Sequence, residues 1–146
     1  MPQKGDNSCL FHGLEYARSR RSNSGWALRH EMVTWMRMYG ETDIGGGSVR
    51  EWVVREQEGN GNRWYARPKA MRDQPRRVMS LDAYCDRMRR DTSWGDQVVI
   101  RSFVVKERIS VIVHAGDMRH EHMADGEIGR VHLRFSDGHY DVIEPV

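Results

Sequence analysis

The spacing of apolar residues changes once along this 146-residue chain, and the change limits the folds open to it. Up to about residue 107 they recur every three or four residues, the period of helices buried along one side. From Ile109 to His114 they form a short apolar run. After a polar stretch, Val131, Leu133 and Phe135 alternate with His132 and Arg134, the period of a half-buried strand. Helices first and strands last is an α+β order, and the length fits one domain over residues 1–146.

Local signals divide the chain further. Asp6 to Ser8 make a polar turn, after which Cys9 opens a helix whose apolar positions are Leu10, Phe11, Leu14 and Ala17. A second helix runs from about Gly25 to Tyr39, capped by Asn23 or Ser24 and stopped by Gly40, with Trp26, Val33, Met36 and Trp35 inward. Three glycines, Gly45 to Gly47, form a loop, and Ser48 caps a short helix to about Gln57. Residues 58–74 are irregular and carry Trp64 and Tyr65, as a loop that touches a partner does. Ser80 caps a helix from Leu81 to Arg90 with Leu81, Tyr84, Cys85 and Met88 on one side. Beyond Trp94 and Gly95, the stretch Val98 to Val104 exceeds a strand's usual length and reads as a buried helix. Ala115 to Gly129 reads as a polar loop. Asp137-Gly138 is a tight-turn signal that makes His139 to Ile143 the closing strand of a hairpin.

Composition removes several function classes. The 23 basic and 21 acidic side chains nearly cancel, leaving a net charge of +2, so no concentrated basic surface argues for nucleic acid. No apolar run approaches the roughly 20 residues of a membrane span, and the N-terminal residues lack the apolar core of a signal peptide. With two cysteines, Cys9 and Cys85, the chain is no disulfide scaffold. A reducing, cytoplasmic compartment is the expectation (a host's cytoplasm if the source is viral or bacterial), and there a thiol stays available for chemistry.

Cys9 is placed to use that thiol. At a helix start it meets the positive end of the helix dipole and unpaired backbone N–H groups, which favour thiolate and can hold an oxyanion. The turn Gly5, Asp6, Asn7, Ser8 supplies those donors, with Asp6 accepting backbone hydrogen bonds that stiffen it. A nucleophilic thiol needs a base, and the base needs an orienting acceptor. His139 and Asp141, two apart on one strand, point to the same side, so the carboxylate can fix the imidazole. Residue by residue, a small buried Cys and an ordinary strand explain the same letters, and both readings stand at this level.

Together the motifs carry a resemblance. GDNSCLF, Gly5 to Phe11, resembles the nucleophile motif of the ovarian-tumour (OTU) cysteine proteases, usually Asp-Gly-Asn-Cys-Leu-Phe. The stretch from Tyr84 to Ile112 is similar to that family's Tyr…Met…Trp-Gly-Gly block leading into an apolar strand. HLRFSDGHYDVIEP resembles its catalytic-His strand. The three blocks stand in the family's order and span nearly the whole chain. Three places depart from the pattern. Asp96 replaces the second Gly after Trp, the family's frequent acidic residue shortly after is replaced within Val98 to Ile100, and Asn7 stands where Gly follows the motif Asp, a place Asn tolerates.

The resemblance implies a papain-like OTU fold, a small, mostly antiparallel sheet flanked by helices. It also implies a deubiquitinase that hydrolyses isopeptide bonds at the ubiquitin C-terminus without a cofactor. Its partner would be ubiquitin or polyubiquitin, with neither nucleic acid nor membrane. Cys9 would be the nucleophile, His139 the general base and acid, and Asp141 its orienting group. Asp6 would lie in an oxyanion loop with Asn7 and Ser8. Trp94, Trp64, Tyr65 and the helix of Val49 to Val53 are candidates to line the channel for the ubiquitin tail, with core packing as the other role for each aromatic. The alternatives are a papain-like protease acting on another ubiquitin-like modifier or a viral polyprotein, and a ubiquitin-binding module without turnover. His114, Asp117, His120 and His122 lack a standard zinc spacing and read as a solvated loop, with no metal site. Cys85, on the apolar side of its helix, reads as structural.

Overall fold

The computed structural model describes residues 9–20, 25–57, 80–90 and 96–143. Gly5, Asp6, Asn7, Ser8, Asn23, Ser24, Trp64, Tyr65 and Trp94 lie outside the described residues. Among these residues five helices, α1 (Cys9–Ser19), α2 (Gly25–Met38), α3 (Val49–Gln57), α4 (Leu81–Met88) and α5 (Gln97–Glu107), precede four strands. These are β1 (Ile109–Ala115), β2 (Met118–His122), β3 (Gly129–Ser136) and β4 (His139–Ile143). The order is the α+β order of the sequence, and the segment around Val98 is helical. No helix among the described residues is long and apolar enough to cross a membrane.

The caps act where the sequence puts them. Ser48 Oγ accepts from Glu51 N (3.2 Å) while Glu51 Oε1 accepts from Ser48 N (3.3 Å), a reciprocal capping box at the start of α3. Ser80 Oγ accepts from Ala83 N at the start of α4, which ends at Met88 rather than Arg90. Asp96, which replaces a glycine of the resembled motif, caps α5. Its carboxylate accepts from Val99 N (3.2 Å) and from the Tyr84 hydroxyl (2.7 and 2.8 Å). Burial pushes this carboxyl up to about 6.

Helix α1 is buried continuously from Cys9 to Glu15 and packs on α2 and on β3 and β4. The inward stripe of α2 is Leu28, Arg29, Met32, Val33 and Met36. Trp26 and Trp35 are only half-buried, contrary to the expected stripe, because the face set by Leu28, Met32 and Met36 turns them to its margins. Arg29 is fully buried. Its Nη1 donates to the Met88 carbonyl (2.8 Å) at the end of α4, where helix carbonyls lack partners, and its guanidinium lies 4.4 Å from the centre of the Phe11 ring. At the helix margins Arg18, Glu15, Glu31, Lys106 and Glu107 join α1, α2 and α5 in one ionic network.

The sheet order is β2-β1-β3-β4, with β1 and β3 parallel and the two outer pairings antiparallel. Asp137 and Gly138 both take left-handed backbone (φ 53° and 75°), so the turn's twist matches the hairpin it closes. The alternating residues Val131, Leu133, Phe135, Tyr140 and Val142 are buried beneath the helices. One expectation fails: residues 115–129 are not all loop, since Met118–His122 pairs with β1 as an edge strand. Its letters, MRHEH, hide it because edge strands carry charge outward to discourage further pairing.

Candidate active site

Cys9 is the first residue of α1 and is only 3% exposed. The first turn of α1 contains no acidic residue, so no carboxylate within that turn competes with the helix dipole at the thiol. One turn later stands Gly13. A side chain there would put Cβ 3.2 Å from Leu133 Cδ2 and 3.6 Å from Val142 Cγ2. The absence of that side chain lets α1 lie directly on the β3–β4 hairpin. A mid-helix glycine is the signal for this approach, and apolar periodicity does not register it.

The same first turn is fixed from its other side. His12 is fully buried, and its Nδ1 accepts from Gly25 N (3.2 Å), the opening amide of α2. Trp26 meets the imidazole edge to face, with ring centres 4.6 Å apart. A Cβ at Gly25 would sit 2.5 Å from both His12 N and His12 Nδ1. Thus α1 is held between α2 and the hairpin, each contact made through a glycine.

His139 opens β4 at the sheet edge and is half-buried. Its Nε2 lies 3.1 Å from Asp141 Oδ1, the contact expected for residues two apart on one strand. A carboxylate only accepts, so the proton sits on Nε2, and in the neutral ring Nδ1 carries the basic lone pair. The other oxygen, Asp141 Oδ2, lies 3.4 Å from Arg134 Nη2 on β3. Neither Arg134 nor Gly13 was among the sequence candidates.

Of the remaining candidates, Cys85 is fully buried and burial raises its thiol to about 11, which leaves it protonated and inert at neutral pH. The histidines of the supposed polar loop are parted by the sheet. His114 Nε2 meets His132 Nδ1 at 2.9 Å, whereas His122 is buried and desolvation lowers it to about 4. In register, His120 and His122 oppose Val113 and Val111, so they share the side opposite His114. Among the described residues no three metal-ligating side chains gather. Asp6, Asn7, Ser8, Trp64, Tyr65 and Trp94 fall outside the described residues.

No family model matches the chain, and no curated protein matches it. Solved structures do. The viral OTU domain protease from Qalyub virus superposes with a TM-score of 0.61 at 12% identity, covering 100% of this chain and 83% of that one. The Hazara virus OTU bound to ubiquitin gives 0.56 at 17% identity, covering 99% and 81%. The OTU deubiquitinase from Wolbachia pipientis wMel bound to ubiquitin gives 0.54 at 15% identity, covering 97% and 93%. At such identities the likeness is one of backbone architecture, and it extends over essentially the whole chain: this protein has the OTU fold.

Proposed function

We propose that residues 1–146 form a single catalytic domain, a thiol-dependent deubiquitinase in which Cys9 attacks the carbonyl at the ubiquitin C-terminus and His139 moves the proton. The observation that carries this reading is the seating of α1, opened by Cys9, on the hairpin whose last strand opens with the Asp141-bonded His139. β4 is an edge strand, and in this reading the imidazole at its first residue meets Cys9 round that edge.

In this mechanism Nδ1 of His139 takes the Cys9 proton, and the thiolate adds to the carbonyl. The resulting oxyanion is held by backbone N–H groups of Cys9 and of the turn containing Asp6, Asn7 and Ser8. The imidazolium, steadied by Asp141, then protonates the departing lysine amine, and water releases ubiquitin from the thioester by the reverse proton path. Ubiquitin is the substrate favoured by two structures of this fold, the Hazara virus and Wolbachia proteins, which were solved with ubiquitin bound. Trp94, Trp64 and Tyr65 are assigned to its tail. A thiol mechanism also requires a reducing compartment.

The test is a ubiquitin carrying an electrophilic C-terminus, together with a panel of differently linked diubiquitins. Adduct formation and cleavage by the wild type, both lost in Cys9→Ala, support the reading. Binding without either reaction would make the chain a ubiquitin-binding module instead. Reaction confined to other ubiquitin-like modifiers or to polyprotein junction peptides would move the substrate class.

A further inference from the structure

The strand register sets four side chains at one level across the sheet. Arg119 on β2 opposes His114 on β1, His114 opposes Arg134 on β3, and Arg134 opposes Asp141 on β4. Leu133 and Val142, the neighbours of Arg134 and Asp141, pack beneath α1, so strand alternation turns Arg134 and Asp141 to the side away from α1. There the two oxygens of Asp141 are divided between different partners. Oδ1 meets His139 Nε2 at 3.1 Å and Oδ2 meets Arg134 Nη2 at 3.4 Å.

We propose that Arg134 is a positioning residue for the base, acting through Asp141. This rests on the catalytic reading of His139 given above. A carboxylate held by one oxygen alone can rotate about its Cβ–Cγ bond and swing Oδ1 away from the imidazole. A guanidinium on the second oxygen opposes that rotation, because the two contacts together fix the carboxylate plane.

Other charged groups stand on the elements packed against β4. On β3 these are Arg130 and His132, and on α1 they are Cys9, His12, Glu15 and Arg18, with Glu15 and Arg18 paired to each other. Asp137 lies in the connecting turn. Arg134 contacts Asp141 itself. Its side chain is 63% exposed, so its removal leaves the core intact and its influence has the modest size of a surface pair.

The experiment records long-range 1H–15N spectra of the His139 imidazole in the full chain, which report its tautomer, alongside steady-state hydrolysis of a ubiquitin substrate. Arg134→Ala and Arg134→Gln are expected to lower the share of the Nε2–H tautomer. They are also expected to lower kcat about threefold with KM unchanged, and Arg134→Lys to restore both in large part. In an Asp141→Asn background, Arg134→Ala should add nothing further. An unchanged tautomer balance in both Arg134→Ala and Arg134→Gln overturns the proposal, as does an effect of full size that persists in the Asp141→Asn background. If the wild type cleaves no ubiquitin substrate the deubiquitinase reading fails, while the spectra still decide whether Arg134 acts on His139 through Asp141.

Discussion

Gly25→Ala removes nothing from the protein and adds one methyl group, yet it should be among the more damaging small substitutions. The new Cβ would lie 2.5 Å from the backbone N of His12, 2.5 Å from its Nδ1 and 2.8 Å from the carbonyl carbon of Phe11. Two of these atoms are backbone of the buried helix α1, which no rotamer change can move aside. Helix α2 must therefore lift from α1 by roughly an ångström to reach ordinary contact distance. Overpacking of this kind costs about 1–3 kcal/mol. The shift also breaks the Gly25 N to His12 Nδ1 hydrogen bond, worth about 1 kcal/mol. The helix-propensity gain of Ala over Gly, at most about 1 kcal/mol, returns part of this. The net loss is about 1–3 kcal/mol, or some 2–12 °C in Tm for a domain of this size. Calorimetry or urea denaturation measures it, with Gly129→Ala as the control. There the nearest atom to a built Cβ is Ile109 Cγ1 at an ordinary 3.7 Å, and the expected change is within about 0.5 kcal/mol. Because α2 steadies the turn that bears Cys9, adduct formation with the ubiquitin probe should slow as well. A Gly25→Ala protein that melts within a degree of wild type would refute the claim that this glycine sets the α1–α2 distance.

Three further outcomes are expected. His139→Ala should reduce ubiquitin hydrolysis at least about a hundredfold with an unchanged circular dichroism spectrum, and Asp141→Ala should be milder; a His139→Ala enzyme of near-normal rate removes the assigned base. The Asp96 carboxyl is raised from 3.8 to about 6, so its contribution to stability is full below the ordinary value and is lost as the pH rises through 6. Asp96→Asn keeps an acceptor for Val99 N and removes the buried charge. It should therefore gain about 1–2 kcal/mol at pH 7.5 and flatten the dependence between about pH 4 and 6 in urea denaturation. Arg29→Ala should cost about 3 kcal/mol by emptying the space between Phe11 and the end of α4. Arg29→Met should cost less, because it fills that space without a buried charge, and equal losses in thermal melts would count against the packing role.

What the sequence determined is what near neighbours decide. Ser48 and Ser80 cap α3 and α4 because a hydroxyl three residues before an amide reaches it whatever the rest of the chain does. Asp137-Gly138 turns the last hairpin because those two residue types accept left-handed backbone. His139 and Asp141 meet because alternate strand residues share a side. The edge strand β2 escaped, since its charged letters answer to its exposed position in the sheet rather than to any local period. Arg29 also escaped: a cation on an inward face is legible only when the carbonyl at the end of α4 and the ring of Phe11 are seen to receive it. Tertiary structure alone decided that Gly13 and Gly25 would press one helix between a hairpin and a second helix, and that Arg134 would take the second oxygen of Asp141. These contacts join segments distant in the chain, and periodicity carries no information about which distant faces meet.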